Sequence, residues 1–343
     1  MATPDTGQQA FKGLRIARLE GPAQGFERFT YPRYQPLLLG EKNAEFMLER
    51  LAVGAWLGSQ PVGLVFLSRP WAPTAEVAES DSAETTADAA PDAPPRTQRQ
   101  LLSVMVHPLA RRTGLASRLL TAAQTLAAAG GIQKLTALHS SRLPALTAFE
   151  ALLKKNGWNN PQEIEFRLAG RAGWALRARD DWGAFLQRLD SRGFSAADWQ
   201  TLSDSDRAEV RHLVEQVMPE ADRKFNPFHP QRQIEPVPEL SVLLRKRGAI
   251  VGWIVGSRGQ LPDSFHYSYG YVLPEVQRMG WLVAGVRDVC ERQACLFGEQ
   301  TLSVLETAHG NAAMRRFMER QLKPYSEWTD ARYLSEKPLP APP

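Results

Sequence analysis

The sequence predicts a two-domain α/β (α+β) protein in which each domain is a mixed central sheet flanked by helices. Three observations predict it. The chain has 343 residues, beyond the size at which one hydrophobic core usually keeps growing. Residues 101–120, LLSVMVHPLARRTGLASRLL, read as an apolar strand, a tight basic turn and the start of a helix with Leu115, Leu119 and Leu120 on one face. That unit also recurs. Val272-x-Pro274-x-x-Gln277-x-x-Gly280 precedes a second helical run, and Pro108/Pro274, Arg111/Gln277 and Gly114/Gly280 each lie 166 positions apart.

Each element follows in chain order. Residues 13–19 (GLRIARL) alternate like a first strand. Residues 26–51 carry apolar residues at helical spacing broken by Pro32 and Pro36, so short helices are expected. Residues 53–57 and 62–68 read as strands joined through Gly58-Ser59-Gln60-Pro61, a hairpin connection. Residues 75–95 (AEVAESDSAETTADAAPDAPP) are acidic and nearly devoid of large apolar side chains. Such a segment cannot bury enough surface to offset its ordering entropy. It is expected to be a disordered loop between strands, with an acidic flap that guides a charged partner as the functional alternative. The strand at 101–106 stops before Pro108, and the helix after it ends at Gly130-Gly131. A strand at 134–139, a helix at 143–155 ending on Asn156-Gly157 and a closing strand at 163–168 complete the first domain.

In the second half, a linking helix is expected at 181–189, a first strand at 199–202 and a helix at 204–217. The Pro- and aromatic-rich stretch MPEADRKFNPFHPQ follows. Strand 301–305 matches 135–139 at the same 166-residue offset. Upstream, Gly63 and Gly252 differ by 189 positions, a surplus of 23 that is about the length of the acidic segment. Two copies of one fold, the first carrying an insertion, account for these spacings. Phe265, Tyr267, Tyr269 and Tyr271 fall on one face of a strand by period two.

The turn at 107–114 has a chemistry of its own. The first turn of a helix leaves its backbone N–H groups without internal partners, and the helix dipole adds partial positive charge there. That geometry suits phosphate. Gly114 lets the backbone approach an anion, while Arg111 and Arg112 add charge. Val106-x-Pro108-x-x-Arg111-Arg112-x-Gly114-x-Ala116 resembles the acetyl-CoA pyrophosphate loop of the GNAT N-acetyltransferase superfamily, whose core pattern is Gln/Arg-x-x-Gly-x-Gly/Ala. With its second copy the chain resembles a tandem GNAT protein.

The resemblance implies a splayed fourth and fifth strand in each domain, and acetyl-CoA or another acyl-CoA as co-substrate, with no metal. It implies that Arg111, Arg112, Thr113, Gly114, Leu115 and Ala116 hold the pyrophosphate. Backbone groups of Val104, Met105 and Val106 would hold pantetheine, one strand N–H polarising the acetyl carbonyl. The expected division is residues 1–170 as the first domain with an intact loop and an insertion at about 71–98, 171–192 as linker, and 193–343 as the second domain. The second loop is read as degenerate, because Leu282 stands where the first copy has Ala116 and its bulk would crowd a pyrophosphate.

The family often places a proton-donating tyrosine on its fourth helix. Here the matching positions offer Phe149 or Leu153 in the first copy and Met318 in the second, which leaves the proton to water. Candidate catalytic residues are His139, at the end of the fifth strand, and Glu306 at the matching end in the second copy. Glu306 interrupts an apolar strand, and a charge there needs a partner such as an acceptor ammonium. The structural alternatives are a hydrogen-bonded strand-end histidine and a paired or solvated carboxylate. His107 is expected to face solvent.

Composition narrows the remainder. A net charge of +4 is too mild to argue for nucleic acid, and no nucleic-acid-reading motif occurs. No apolar run approaches a membrane span, the amino-terminal MATPDTGQQAFKG has no apolar leader core, and a cytoplasmic location is expected. Cys290 and Cys295, five apart on an expected helix, read as free thiols. The function expected is acyl-CoA-dependent N-acyl transfer, acetyl foremost, to a small-molecule or peptide amine. A non-catalytic CoA-binding or interaction protein is the rival, and aminoacyl- or peptidyl-tRNA-dependent transfer is a third reading.

Overall fold

The structure is a computed structural model describing residues 13–40, 50–72, 95–228, 236–259 and 261–340. The acidic segment lies, but for Pro95, outside the described residues. The chain forms two compact units, one of residues 1–164 with 332–343 and one of residues 165–331.

The first unit is built on β1 (Leu14–Arg18), β2 (Leu51–Leu57), β3 (Gln60–Leu67), β4 (Gln98–Val106) and β5 (Lys134–Ser140). The first four pair antiparallel in sequence order, as short connections allow. β4 and β5 run parallel, so the chain must cross over between them, which it does through helix Leu115–Ala129. Leu115, Leu119, Leu120, Ala123 and Ala127 of that helix are buried in one cluster with Val53, Val65 and Leu135 of the sheet. The expected short helices are the turns Glu27–Phe29, Pro32–Tyr34 and Gln35–Leu39. They bury Phe26, Phe29, Tyr34 and Leu38 in a separate cluster with Ala52, Leu64 and Phe66, the opposite parity on the strands.

The second unit repeats the plan with β6 (Gln162–Arg171), β7 (Phe194–Asp198), β8 (Val242–Lys246), β9 (Ala249–Arg258), β10 (Ser264–Val272) and β11 (Leu302–Ala308). β7 to β10 pair antiparallel in order, and β10 runs parallel to β11 across helix Trp281–Phe297. Cys290 and Cys295, both on this helix, are free thiols.

Several expectations are corrected here. The first strand of this unit is residues 194–198. Residues 199–201 form a 3-10 turn, capped by Asp198 accepting from the Gln200 N–H at 2.9 Å. The single linking helix is two, Trp174–Asp181 and Gly183–Ser191. The aromatic stripe does not share a face. A bulge between His266 and Tyr269 adds one residue to β10 and inverts the alternation beyond it. Tyr267 therefore bonds Gln293 of helix Trp281–Phe297 at 2.8 Å, whereas Tyr271 packs with Trp253 and Phe225.

The largest departure concerns the closing strands. β6 was expected to close the first domain. Instead it pairs antiparallel with β11, from Leu302 opposite Arg171 to Ala308 opposite Glu165. The strand that completes the first unit is β12 (Trp328–Pro338), which pairs antiparallel with β5 from Arg332 opposite Ser140 to Pro338 opposite Lys134. The compact units therefore divide the chain differently from the simple cut near 170–192. Among the described residues, no helix is long and apolar enough to cross a membrane.

Candidate active site

The basic turn is shaped by its own sequence. His107 caps a 3-10 turn over Pro108–Ala110, its Nδ1 accepting from the Leu109 N–H at 3.3 Å. Ala110 is buried and anchors the turn, and the Thr113 hydroxyl donates back to the Ala110 carbonyl at 2.7 Å. Arg112 then takes a left-handed conformation at φ 62°, and Gly114 another at φ 81°, just before helix Leu115–Ala129 begins. A left-handed non-glycine residue costs about 1 kcal/mol, and here, after the extended Arg111, it turns the chain back before the helix. Arg111, Arg112, Thr113 and Gly114 are all exposed, and the first helical turn holds no acidic residue. A Cβ built on Gly114 would meet no atom within 4 Å. The cradle is basic, built and open, and it fits a diphosphate.

Behind the turn, β4 parts from β5. Their parallel pairing covers only Gln98–Lys134, Arg99–Leu135 and Gln100–Thr136. A bulge where Phe66 and Leu67 face Ser103 and Leu101 gives β4 one extra residue at Leu102. Beyond it Val104, Met105 and Val106 keep their β3 partners on one edge, while among the described residues no strand pairs with their edge towards β5. An open parallel edge of this kind offers N–H and C=O groups to an extended amide-bearing ligand.

The second unit copies this backbone closely. Arg278 is left-handed at φ 66° and Gly280 at φ 91°, each 166 positions after its counterpart. β10 pairs with β11 only from Ser264 to His266. The side chains differ. A Cβ on Gly280 would lie 2.6 Å from the Phe185 ring, so Phe185 occupies the space that stands open above Gly114. Trp281 is fully buried and packs on Phe194 at 5.2 Å, and Gln277 folds back to donate to the Val272 carbonyl at 3.3 Å. Leu282 turns towards β10, where it lies 3.0 Å from a Cβ built on Gly270. The second loop is closed by Phe185 of helix Gly183–Ser191, and Leu282 is directed at the sheet.

His139 lies on the stretch of β5 that has left β4. Its side chain is only 3% exposed, with Nε2 3.4 Å from Oε1 of Glu150. The imidazole stacks on Tyr333 at 5.6 Å and meets Phe149 edge-on at 5.2 Å. Its Nδ1 is buried without a hydrogen-bond partner, an arrangement that costs about 1–3 kcal/mol. Tyr333 reaches this place because β12 lays it directly opposite His139.

Glu306 has a cation close by. It faces Arg167 across the β11–β6 ladder, with Oε2 3.7 Å from the Arg167 Nε, and Glu165 approaches the same nitrogen at 3.4 Å. His139 and the 104–116 loop fall in the first unit and Glu306 in the second. Sequence reasoning missed Glu150, Tyr333 and Phe185. Glu150 stands one position after Phe149 and could have been weighed with it. Tyr333 carried no signal, because nothing in the sequence tells which strand β12 pairs with. Among the described residues no group of His, Cys, Asp or Glu is placed to hold a metal.

Residues 19–153 match the model of the Acetyltransferase (GNAT) family. No curated protein sequence is similar enough to count as a match. Among solved structures, the chain is similar to a GCN5-related N-acetyltransferase from Sphaerobacter thermophilus, at 14% identity over 96% of this chain and 98% of that one, with a TM-score of 0.54. It is similar to a glucosamine N-acetyltransferase region of a fungal multi-domain β-N-acetylglucosaminidase, at 12% identity over 94% of this chain and 38% of that one, with a TM-score of 0.53. A tandem GNAT protein from the clavulanic acid biosynthesis pathway is 14% identical over 96% of this chain and all of that one, at a TM-score of 0.48.

Proposed function

We propose that this chain, whose amino-terminal half belongs to the acetyltransferase (GNAT) family, transfers an acyl group, acetyl foremost, from a CoA thioester to an amine. The observation that carries the reading is the basic cradle at 111–116, with open space above Gly114 and a bared edge of β4 leading away from it. Arg111, Arg112 and the N–H groups of Thr113 to Ala116 hold the diphosphate. The open edge of Val104–Val106 holds the pantetheine amides, and an N–H of that edge stabilises the oxyanion formed when the amine attacks.

In the reaction the ammonium gives up a proton and its nitrogen pair attacks the thioester carbon. The C–N bond forms, the C–S bond breaks, and the electron pair leaves on sulfur. Much of the acceleration on such a scaffold comes from holding the two reactants together. His139 is our choice for the base, and the departing thiolate takes its proton from water, since Phe149 and Leu153 supply none. Glu306 takes no step in this scheme, because Arg167 already meets its charge. The acceptor is a small-molecule or peptide amine.

The test is release of CoA thiol, read with DTNB, on mixing acetyl-CoA with an amine panel. Thiol release that needs both substrates supports transfer. Calorimetric CoA binding with no thiol release from any amine overturns it and leaves a CoA-binding protein, the reading that Phe149 favours. The protein's own thiols set the baseline. Cys295 is exposed, whereas burial pushes the Cys290 thiol up to about 12. The native protein should therefore titrate one cysteine with DTNB and the denatured protein two.

A further inference from the structure

We infer that the corner where helix Leu146–Lys155 ends against helix Leu115–Ala129 is a subsite for a phosphate monoester, the 3′-phosphate of CoA, with Lys154, Lys155 and Arg118 as its cations. The inference rests on the acyl-CoA reading above.

The placement starts from the open cradle. Positions 114, 117 and 121, spaced by three and four, lie one above another on a helix face. Gly114 stands at the cradle, and Ser117 and Thr121 continue that face down helix Leu115–Ala129. Helix Leu146–Lys155 ends against these two residues. Its capping residue Asn156 donates from Nδ2 to the Ser117 hydroxyl at 3.2 Å and to the Leu152 carbonyl at 2.7 Å. The Thr121 hydroxyl donates to Asn156 Oδ1 at 3.5 Å. With a rise of about 1.5 Å per residue, Ser117 is about 5 Å along the helix from Gly114.

That corner is basic. Lys154 and Lys155 are the last two residues of their helix, and both are exposed. Lys337 brings an ammonium to the same end, 2.7 Å from a Cβ built on Gly157. Arg118, beside Ser117, is exposed as well. None of these four forms an ion pair among the described residues. Glu150, the one carboxylate of helix Leu146–Lys155, stands a turn before Lys154 and faces His139 at 3.4 Å.

Lysines at a helix C-terminus also complement the helix dipole. The dipole does not account for Arg118, which lies in the first turn of its helix, where a cation is unfavourable without an anion nearby. The repeat points the same way. At the positions 166 further on, Val283, Ala284 and Arg287 replace Ser117, Arg118 and Thr121. Ala284 is buried and Arg287 is paired with Glu291. The polar brace and the spare positive charge accompany the loop whose glycine has open space above it.

CoA carries its diphosphate and its 3′-phosphate on one ribose, so a diphosphate in the cradle leaves the monoester one sugar away. A phosphate monoester bears about −1.5 to −2 charge at neutral pH. Ammonium groups meet such a compact anion as point charges.

Calorimetry with CoA and with 3′-dephospho-CoA at low salt tests this. The wild-type protein should bind CoA about tenfold more tightly, and the ratio should shrink as salt is raised. Lys154→Gln/Lys155→Gln should bring CoA down towards the affinity of dephospho-CoA, whose own binding should not change. Arg118→Gln should remove a smaller part of the same difference. Equal affinity of the wild-type protein for the two compounds overturns the inference and leaves acyl transfer standing. A double variant that melts earlier yet keeps the tenfold ratio does the same, and returns the lysines to the helix dipole. Binding of neither compound overturns both.

Discussion

Two loops of nearly identical backbone face different surroundings, and the contrast separates what a fold retains from what a site needs. Around 107–116 and 273–282 the chain makes the same 3-10 turn, the same left-handed arginine, and the same left-handed glycine before a crossover helix. Above Gly114 there is open space, and above Gly280 there is Phe185. The backbone plan thus persists where Phe185 lies against the glycine. It is also needed to turn a parallel strand into its crossover helix. The space above the glycine differs through one side chain from another segment.

The sharpest way to break this contrast is to charge each glycine. Gly114→Asp puts a carboxylate into the cradle and should weaken CoA binding by a hundredfold or more in calorimetry. Unchanged affinity in a folded variant would remove the site from this loop. Gly280→Asp should leave CoA affinity untouched and instead destabilise the fold by about 2 kcal/mol, because the new side chain must displace Phe185. A thermal melt equal to wild type would show that Phe185 does not press on the loop.

Ala116→Leu transplants the second loop's residue into the first. Since Leu282 turns to the sheet and away from the loop, the substitution should cost CoA only a few-fold in affinity. A loss as large as that of Gly114→Asp would restore Leu282 as the cause of closure. The smallest effect is expected from deleting residues 77–93 of the acidic segment, whose composition supplies no core. The melting temperature should move by no more than about 2 °C, and a large drop would mean that the repeat spacing misidentifies an insertion.

Much of this was legible because it is local. The Val106–Ala116 spacing, the glycine stops and the 166-residue offset depend on residues near one another or on a repeated order, and the loop was found from them. The β10 bulge was hidden, since one extra residue at Tyr267–Ser268 leaves no mark in an alternating sequence yet sends Tyr271 to the opposite face. Phe185 looked like part of a linking helix, because amphipathic spacing tells that a residue is buried without telling what it covers. Glu306 was expected to be solvated, paired or in use by an acceptor, and its near cation, Arg167, lay on a strand assigned to the other half. The partners of β6 and β12 are long-range choices. Period two fixes the face that each residue takes and is silent on the neighbouring strand.

The placement of β12 has a consequence for biosynthesis. β5 ends at Ser140, and the residues that pair with it, from Arg332 on, are made 192 positions later. At typical elongation rates that interval is roughly 10–40 seconds. Through it β5 waits with a bare edge, and β6 waits for β11. Neither sheet is complete until the strand that closes it has been made. A fragment ending at residue 170 would keep that bare edge for good, a ready template for edge-to-edge aggregation.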